Sequence, residues 1–211
     1  ALLSLAFFPI QIAVFLISPP PEAVLDWFTL IHSRPIVGLI DLDLLLVLDQ
    51  VLVMLIFVAV YIALRHTCKA LSLIGLTLGL ASTILFITSN PALAMLSLSG
   101  QYFAAGAESL RAQTLAAGQS IMAIWQGTAF HASYIVGSIA SVLLSMAMLR
   151  SRVFTRSAGI MGIIANLVAF GLYVPVVGVY ISVFSVLFLW AWYLLTAIGL
   201  FKLGKTSTQN T

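Results

Sequence analysis

Residues 45–65 read LLVLDQVLVMLIFVAVYIALR, an apolar run interrupted by one acid and one glutamine and closed by a base. About 20 residues of α-helix, at 1.5 Å each, cross the roughly 30 Å hydrocarbon core of a bilayer. A strand of a membrane β-barrel would be about ten residues long and alternate apolar with polar side chains. This run is continuous, so it reads as a membrane-spanning helix. Outward from it the pattern repeats. Residues 70–88 follow the turn at 65–69 and stop at Ser89-Asn90-Pro91, and residues 128–149 stop at Arg150, Arg152 and Arg156. From Ser157 to Phe201 no charge occurs, which leaves room for spans at 157–175 and 180–201, broken near Val174-Pro175-Val176-Val177-Gly178.

The whole chain carries the same signature. Of its 211 residues 62% are apolar and 7% charged, against about 45–50% and about 25% in soluble domains. Fifteen charged side chains cannot coat a soluble globule of this size, so a water-soluble enzyme is excluded. Residues 1–18 are uncharged and end at Pro19-Pro20-Pro21, which cannot continue a helix. No charged leader or small-residue cleavage site marks a signal peptide, so they read as the remainder of a first span, with Pro9 as a kink. The fold class expected is therefore all-α: a single polytopic transmembrane domain over 1–211, a bundle of six spans. Two connections hold the remaining polarity. Residues 22–33, with Asp26, Trp27, Phe28 and His32, suit a short interfacial helix. Residues 91–126, where Gln101, Glu108, Arg111, Gln113 and Gln119 stand among alanines and leucines, suit an amphipathic outer segment.

Orientation follows from the bases. Arg65, Lys69, Arg150, Arg152, Arg156, Lys202 and Lys205 fall on one side with no acid, while Arg34, Arg111 and all six acids fall on the other. The positive-inside rule places the first side, and both termini, in the cytoplasm. The basic residues lie at span ends, not in one patch, so nucleic acid is not an expected partner. Lipid is, together with other membrane subunits or a second copy of the chain. Cys68 is the only cysteine, which excludes an intrachain disulfide and CxxC chemistry. It reads as an incidental residue of a cytoplasmic turn, with palmitoylation as the alternative.

Polar groups inside a membrane need a reason, because an acid at a span centre costs about 2.5–3.5 kcal/mol. Asp49 precedes Arg65 by a height of roughly 24 Å, in the outer third of the bilayer. Asp41 and Asp43 sit at or just above the boundary, and Gln50 shares a helix face with Asp43. His131 lies about 28 Å above Arg150, flanked by Thr128 and Tyr134, with Gln119, Gln126 and Ser133 as a polar stripe; Tyr173 reaches a similar height from Arg156. Two readings stay open. These residues mark a broad interface, or Asp41, Asp43, Asp49, Gln50, Gln126, His131, Tyr134 and Tyr173 line an outward-facing polar pocket. Asn166 is expected to hydrogen-bond to a neighbouring helix, and Ala158, Gly162 and Ala165, with Gly137 and Ala140, to let spans five and four approach closely. No HExxH, GxSxG, Walker loop or Cys/His cluster occurs, so no catalytic residue, metal or cofactor is assigned.

The stretches LDLLLVLDQVLVMLIFVAVYIALRH (42–66), Ser89-Asn90-Pro91-Ala92, GQYFAAG and GTAFHASYIVGSIASVLLSMAMLRSRVF resemble a family of bacterial six-helix membrane proteins catalogued as a domain of unknown function. The resemblance runs over nearly the whole chain, most clearly 36–205. It implies a prokaryotic inner-membrane protein of six helices and supplies no activity or site residue. The leading expectation is a non-enzymatic multi-pass membrane protein, an accessory or structural subunit or a ligand-binding protein. The alternatives are a small transporter or proton-linked carrier using Asp49 and His131, and an intramembrane metal-dependent enzyme.

Overall fold

A computed structural model describes residues 3–208, and among these the chain is helical throughout, without strands. In chain order the helices are α1 (Ser4–Ile17), α2 (Val24–Ser33), α3 (Pro35–Asp41), α4 (Leu44–Leu64), α5 (Lys69–Ser89), α6 (Ala92–Ala104), α7 (Glu108–Trp125), α8 (Thr128–Leu149), α9 (Arg156–Ala169) and α10 (Gly178–Thr208), with a 3₁₀ turn at Phe170–Tyr173 after α9. Five segments are long and apolar enough to cross a membrane: Leu44–Leu64, Lys69–Ala104, Glu108–Leu149, Arg156–Tyr173 and Tyr180–Lys205. The expected first span is represented by α1, whose 14 residues extend about 21 Å, short of the hydrocarbon thickness. Residues 1 and 2 of that span, and 209–211 of the tail, lie outside the described residues.

The surfaces of the long helices are inverted relative to those of a soluble protein. On α4, Leu48, Val51, Leu55, Val58 and Ile62 are exposed, at alternating spacings of three and four. The opposite face, Asp49, Val53, Ile56, Val60 and Leu64, is buried. A continuous exposed apolar stripe is rare on a soluble monomer and is what a lipid-facing surface requires. On α10 the same holds for Val183, Phe184, Leu187, Leu194, Ile198 and Phe201.

The chain divides into two compact units. One contains the residues up to Leu5, Val51–Ile84 and the chain from Ser133 onward; the other contains Ala6–Gln50 and Leu85–Ala132. In the first, the most extensive pairing is α9 with α10. Small residues set the approach distances here. A Cβ on Gly162 would run into the Ser145 hydroxyl and the Trp192 indole, and one on Gly79 into the Phe57 ring. Ser82 of α5 donates to the Ser133 carbonyl of α8 at 2.8 Å. Thr155 caps α9, its hydroxyl accepting from the Ala158 N–H.

The second unit is a cluster of short helices around α2. Trp27, Phe28, Leu30 and Ile31 are buried together with Leu42, Ala92, Met95 and Met122. Ala92, Met95 and Ser99 of α6, and Thr114, Gly118 and Met122 of α7, recur every three or four residues and so form one buried face on each helix. Ser99 donates to the Phe28 carbonyl at 2.7 Å, and the Phe28 and Tyr102 rings meet at 5.6 Å. Burying a Phe or Ile side chain away from water stabilises by about 1.5–3 kcal/mol. Within the expected 22–33 the short helix α2 forms and sinks its aromatic face into a helical core, with Trp27 2% exposed. The segment 91–126 forms two helices, separated at Ala105–Ala107, where one amphipathic stretch was expected.

Candidate functional site

The corner that joins α3 to α4 gathers the polar groups that burial makes most costly. Pro35 opens α3, a position where its missing N–H is no loss. The helix ends with the Leu42 N–H donating to Gly38 O and the Asp43 N–H to Ile40 O at 2.9 Å. Asp43 itself sits at φ 62, the left-handed region that commonly terminates helices and that Asp tolerates better than most residues. From α1, Gln11 reaches this corner. Its side-chain NH₂ donates to Ile40 O at 2.8 Å and to Asp43 Oδ1 at 3.3 Å. Both partners are acceptors, so they fix which way the amide faces. Gln11 is 4% exposed, and its Oε1 accepts no hydrogen bond. Asp41 is 1% exposed, and neither of its carboxylate oxygens accepts one either.

Asn90 ties this corner to the next. Its side-chain NH₂ donates to the Leu42 carbonyl at 2.7 Å, and its Oδ1 accepts from the Ala92 N–H at 3.0 Å, at the start of α6. Burial pushes the Asp43 carboxyl up to about 7, with the neighbouring Asp41 charge raising it further. Burial also raises Asp41, to about 6, against the opposing pull of the Arg34 guanidinium. Both carboxyls thus change charge near neutral pH. On the other side of α2, a cleft of about 280 Å³ opens between the Pro19–Pro21 loop and Asp26, Thr29, Ser33 and Arg34.

Of the residues expected to share one pocket, six lie in one unit and two, Tyr134 and Tyr173, in the other. Asp41 and Asp43 belong together, with Gln11. Asp49 is buried, 2% exposed, on the inner face of α4, and Gln50 is half-buried. Gln126 and His131 are exposed, and the His131 ring meets that of Phe130 edge-on at 5.4 Å. In the other unit Tyr134 forms a separate polar node. Its hydroxyl donates to the Ala169 carbonyl at 2.9 Å and lies 2.8 Å from the Ser182 hydroxyl, and the Tyr173 ring stands edge-on at 6.2 Å.

Asn166 donates within its own helix, to Gly162 O at 2.7 Å, where a partner on a neighbouring helix was expected. Gly137 lies against Ser82 of α5, while the close approach of α8 to α9 runs through Ser145 and Leu149 against Gly162 and Gly159. Ala158, Gly162 and Ala165 are buried as a small-residue face of α9. Sequence reasoning passed over Gln11, although it stands out as a long polar side chain in an otherwise apolar run, and treated Asn90 only as a helix stop.

Among the described residues no three His, Cys, Asp or Glu side chains come together as a metal-binding group. Comparison with known proteins finds no matching family model, curated protein or solved structure.

Proposed function

We propose that this chain is a non-enzymatic, ligand-binding multi-pass membrane protein of the prokaryotic inner membrane, with its binding element at the Asp41–Asp43 corner. The single observation that carries the reading is the Asp41 carboxyl, buried to 1% exposure with neither oxygen hydrogen-bonded within the chain. A buried carboxyl left in that condition is costly, and a bound ligand is one of the few ways to offset that cost. The reading includes six spans with both termini in the cytoplasm, supported by the sorting of charge along the chain. The lipid bilayer is the solvent of the long helices; other membrane subunits or a second copy would be further partners.

A thermal-unfolding screen of the purified protein in detergent tests it, using a panel of alkali cations, organic ammonium compounds and small neutral polar solutes. At least one is expected to raise the unfolding temperature of the wild type and not of Asp41→Asn. A flat response across the panel contradicts the reading.

One observation favours a second reading, a small carrier. Asp49 lies inside the Leu44–Leu64 span and is buried. In that case Asp49→Asn abolishes proton-linked flux in proteoliposomes, and unchanged flux removes Asp49 from any transport mechanism. This version takes Asp49 together with His131, which is exposed on α8.

A further inference from the structure

We propose that Gln11, Asp41 and Asp43 form a site for a small monovalent metal cation of the sodium class. This rests on the ligand-binding reading and names its ligand. The argument begins from a count of donors and acceptors. The Gln11 NH₂ is committed to Ile40 O and Asp43 Oδ1. Asp41 Oδ1, Asp41 Oδ2 and Gln11 Oε1 are acceptors with nothing to accept from, on side chains 1% and 4% exposed. They come from two helices far apart in sequence, and the Gln11 amide lies against the peptide that leads into Asp41. A proton on Asp41 would satisfy Gln11 Oε1 at most and leave one carboxyl oxygen bare. A cation is the partner that oxygens of this kind lack, since carboxylate and amide oxygens are the hard ligands that alkali and alkaline-earth ions select.

Charge decides between the two ion classes. Asp41 and Asp43 supply at most two negative charges, and Asp43 Oδ1 already accepts from the Gln11 amide, so the corner holds less charge than a divalent ion gathers. Calcium takes six to eight oxygens, commonly several carboxylates, and no group of three acidic, His or Cys ligands exists among the described residues. The location agrees. Both acids stand at the C-terminal end of α3, the negative end of a helix dipole, which disfavours a carboxylate and favours a cation. Of the helices packed on α3, α2 contributes Asp26 and His32 as its ionisable side chains and α6 has no charged residue.

The test is thermal unfolding of the full chain in detergent at constant ionic strength, with choline chloride replaced stepwise by lithium, sodium or potassium chloride. A saturable rise is expected with one of the three, about 3–6 °C at ten times the dissociation constant. Asp41→Asn and Gln11→Leu each lose it, and Asp26→Asn, on the exposed face of α2, keeps it. If Asp41→Asn does not fold, Gln11→Leu decides, because it keeps both carboxylates and removes only the amide. Equal unfolding in all four salts, or a rise that survives Gln11→Leu, overturns the proposal. A wild type blind to alkali ions but stabilised by an organic ammonium compound through Asp41 overturns the cation assignment alone. Blindness to both, and to the small neutral polar solutes, overturns the ligand-binding reading with it.

Discussion

Asp43 is held against two preferences, a backbone at φ 62 and a carboxyl pushed up to about 7. The second has a measurable sign. An unfolded aspartate loses its proton near pH 3.9, whereas folded Asp43 holds it to about 7 and Asp41 to about 6. Between those values the folded chain binds more protons, so stability is full below about pH 4 and falls as pH rises toward 7. Unfolding in a choline buffer should therefore come at lower temperature at pH 7.5 than at pH 5, and Asp43→Asn should flatten the slope. A slope of the opposite sign, or one unchanged in Asp43→Asn, would show that these carboxyls are not buried as described. Gly162 offers a separate check in the other unit. Gly162→Val would press a side chain into the Ser145 hydroxyl and the Trp192 indole, and overpacking of this kind costs about 1–3 kcal/mol. Wild-type thermal stability in that variant would refute the packing. The acids were legible one by one as residues that membranes make expensive. Gln11's role was not, because its partners Ile40 and Asp43 lie about 30 positions away and only folding brings them to it.

At the level of elements, the long helices could be read directly, since a continuous apolar run closed by arginine leaves few alternatives. Short ones could not. The seven-residue α3 is too brief to show a period, although Pro35 signals its start. The polar stripe Gln119–Gln126–Ser133 assumed one uninterrupted helix. The chain instead breaks between α7 and α8 at Gln126–Gly127, which changes the register, so Gln119 and Gln126 are exposed while Ser133 is buried. Asn90 shows how a helix stop can also be a joint. Asn90→Ala would leave the Leu42 carbonyl and the Ala92 N–H without their partner, a loss of about 1–3 kcal/mol if the carbonyl stays buried. Asn90→Asp keeps an acceptor for Ala92 and should fall between wild type and Asn90→Ala in chemical or thermal unfolding. Equal stability of all three would mean that the two corners are held by packing alone.

For the molecule as a whole, the two units differ sharply in charge. The unit of Ala6–Gln50 and Leu85–Ala132 holds all six acids with Arg34 and Arg111, and the other holds the remaining seven bases and no acid. Such a sorting of charge is what the positive-inside rule uses to orient a membrane protein. Helix length agrees with a membrane crossing. The α5 and α8 helices contain 21 and 22 residues, about 32 and 33 Å, matching a hydrocarbon core of roughly 30 Å. The most direct test is labelling with a membrane-impermeant maleimide in right-side-out vesicles, on a Cys68→Ser background, comparing Glu108→Cys with Lys205→Cys. Glu108→Cys should react in intact vesicles and Lys205→Cys only after permeabilisation; reaction of both positions from the same side would contradict the proposed orientation.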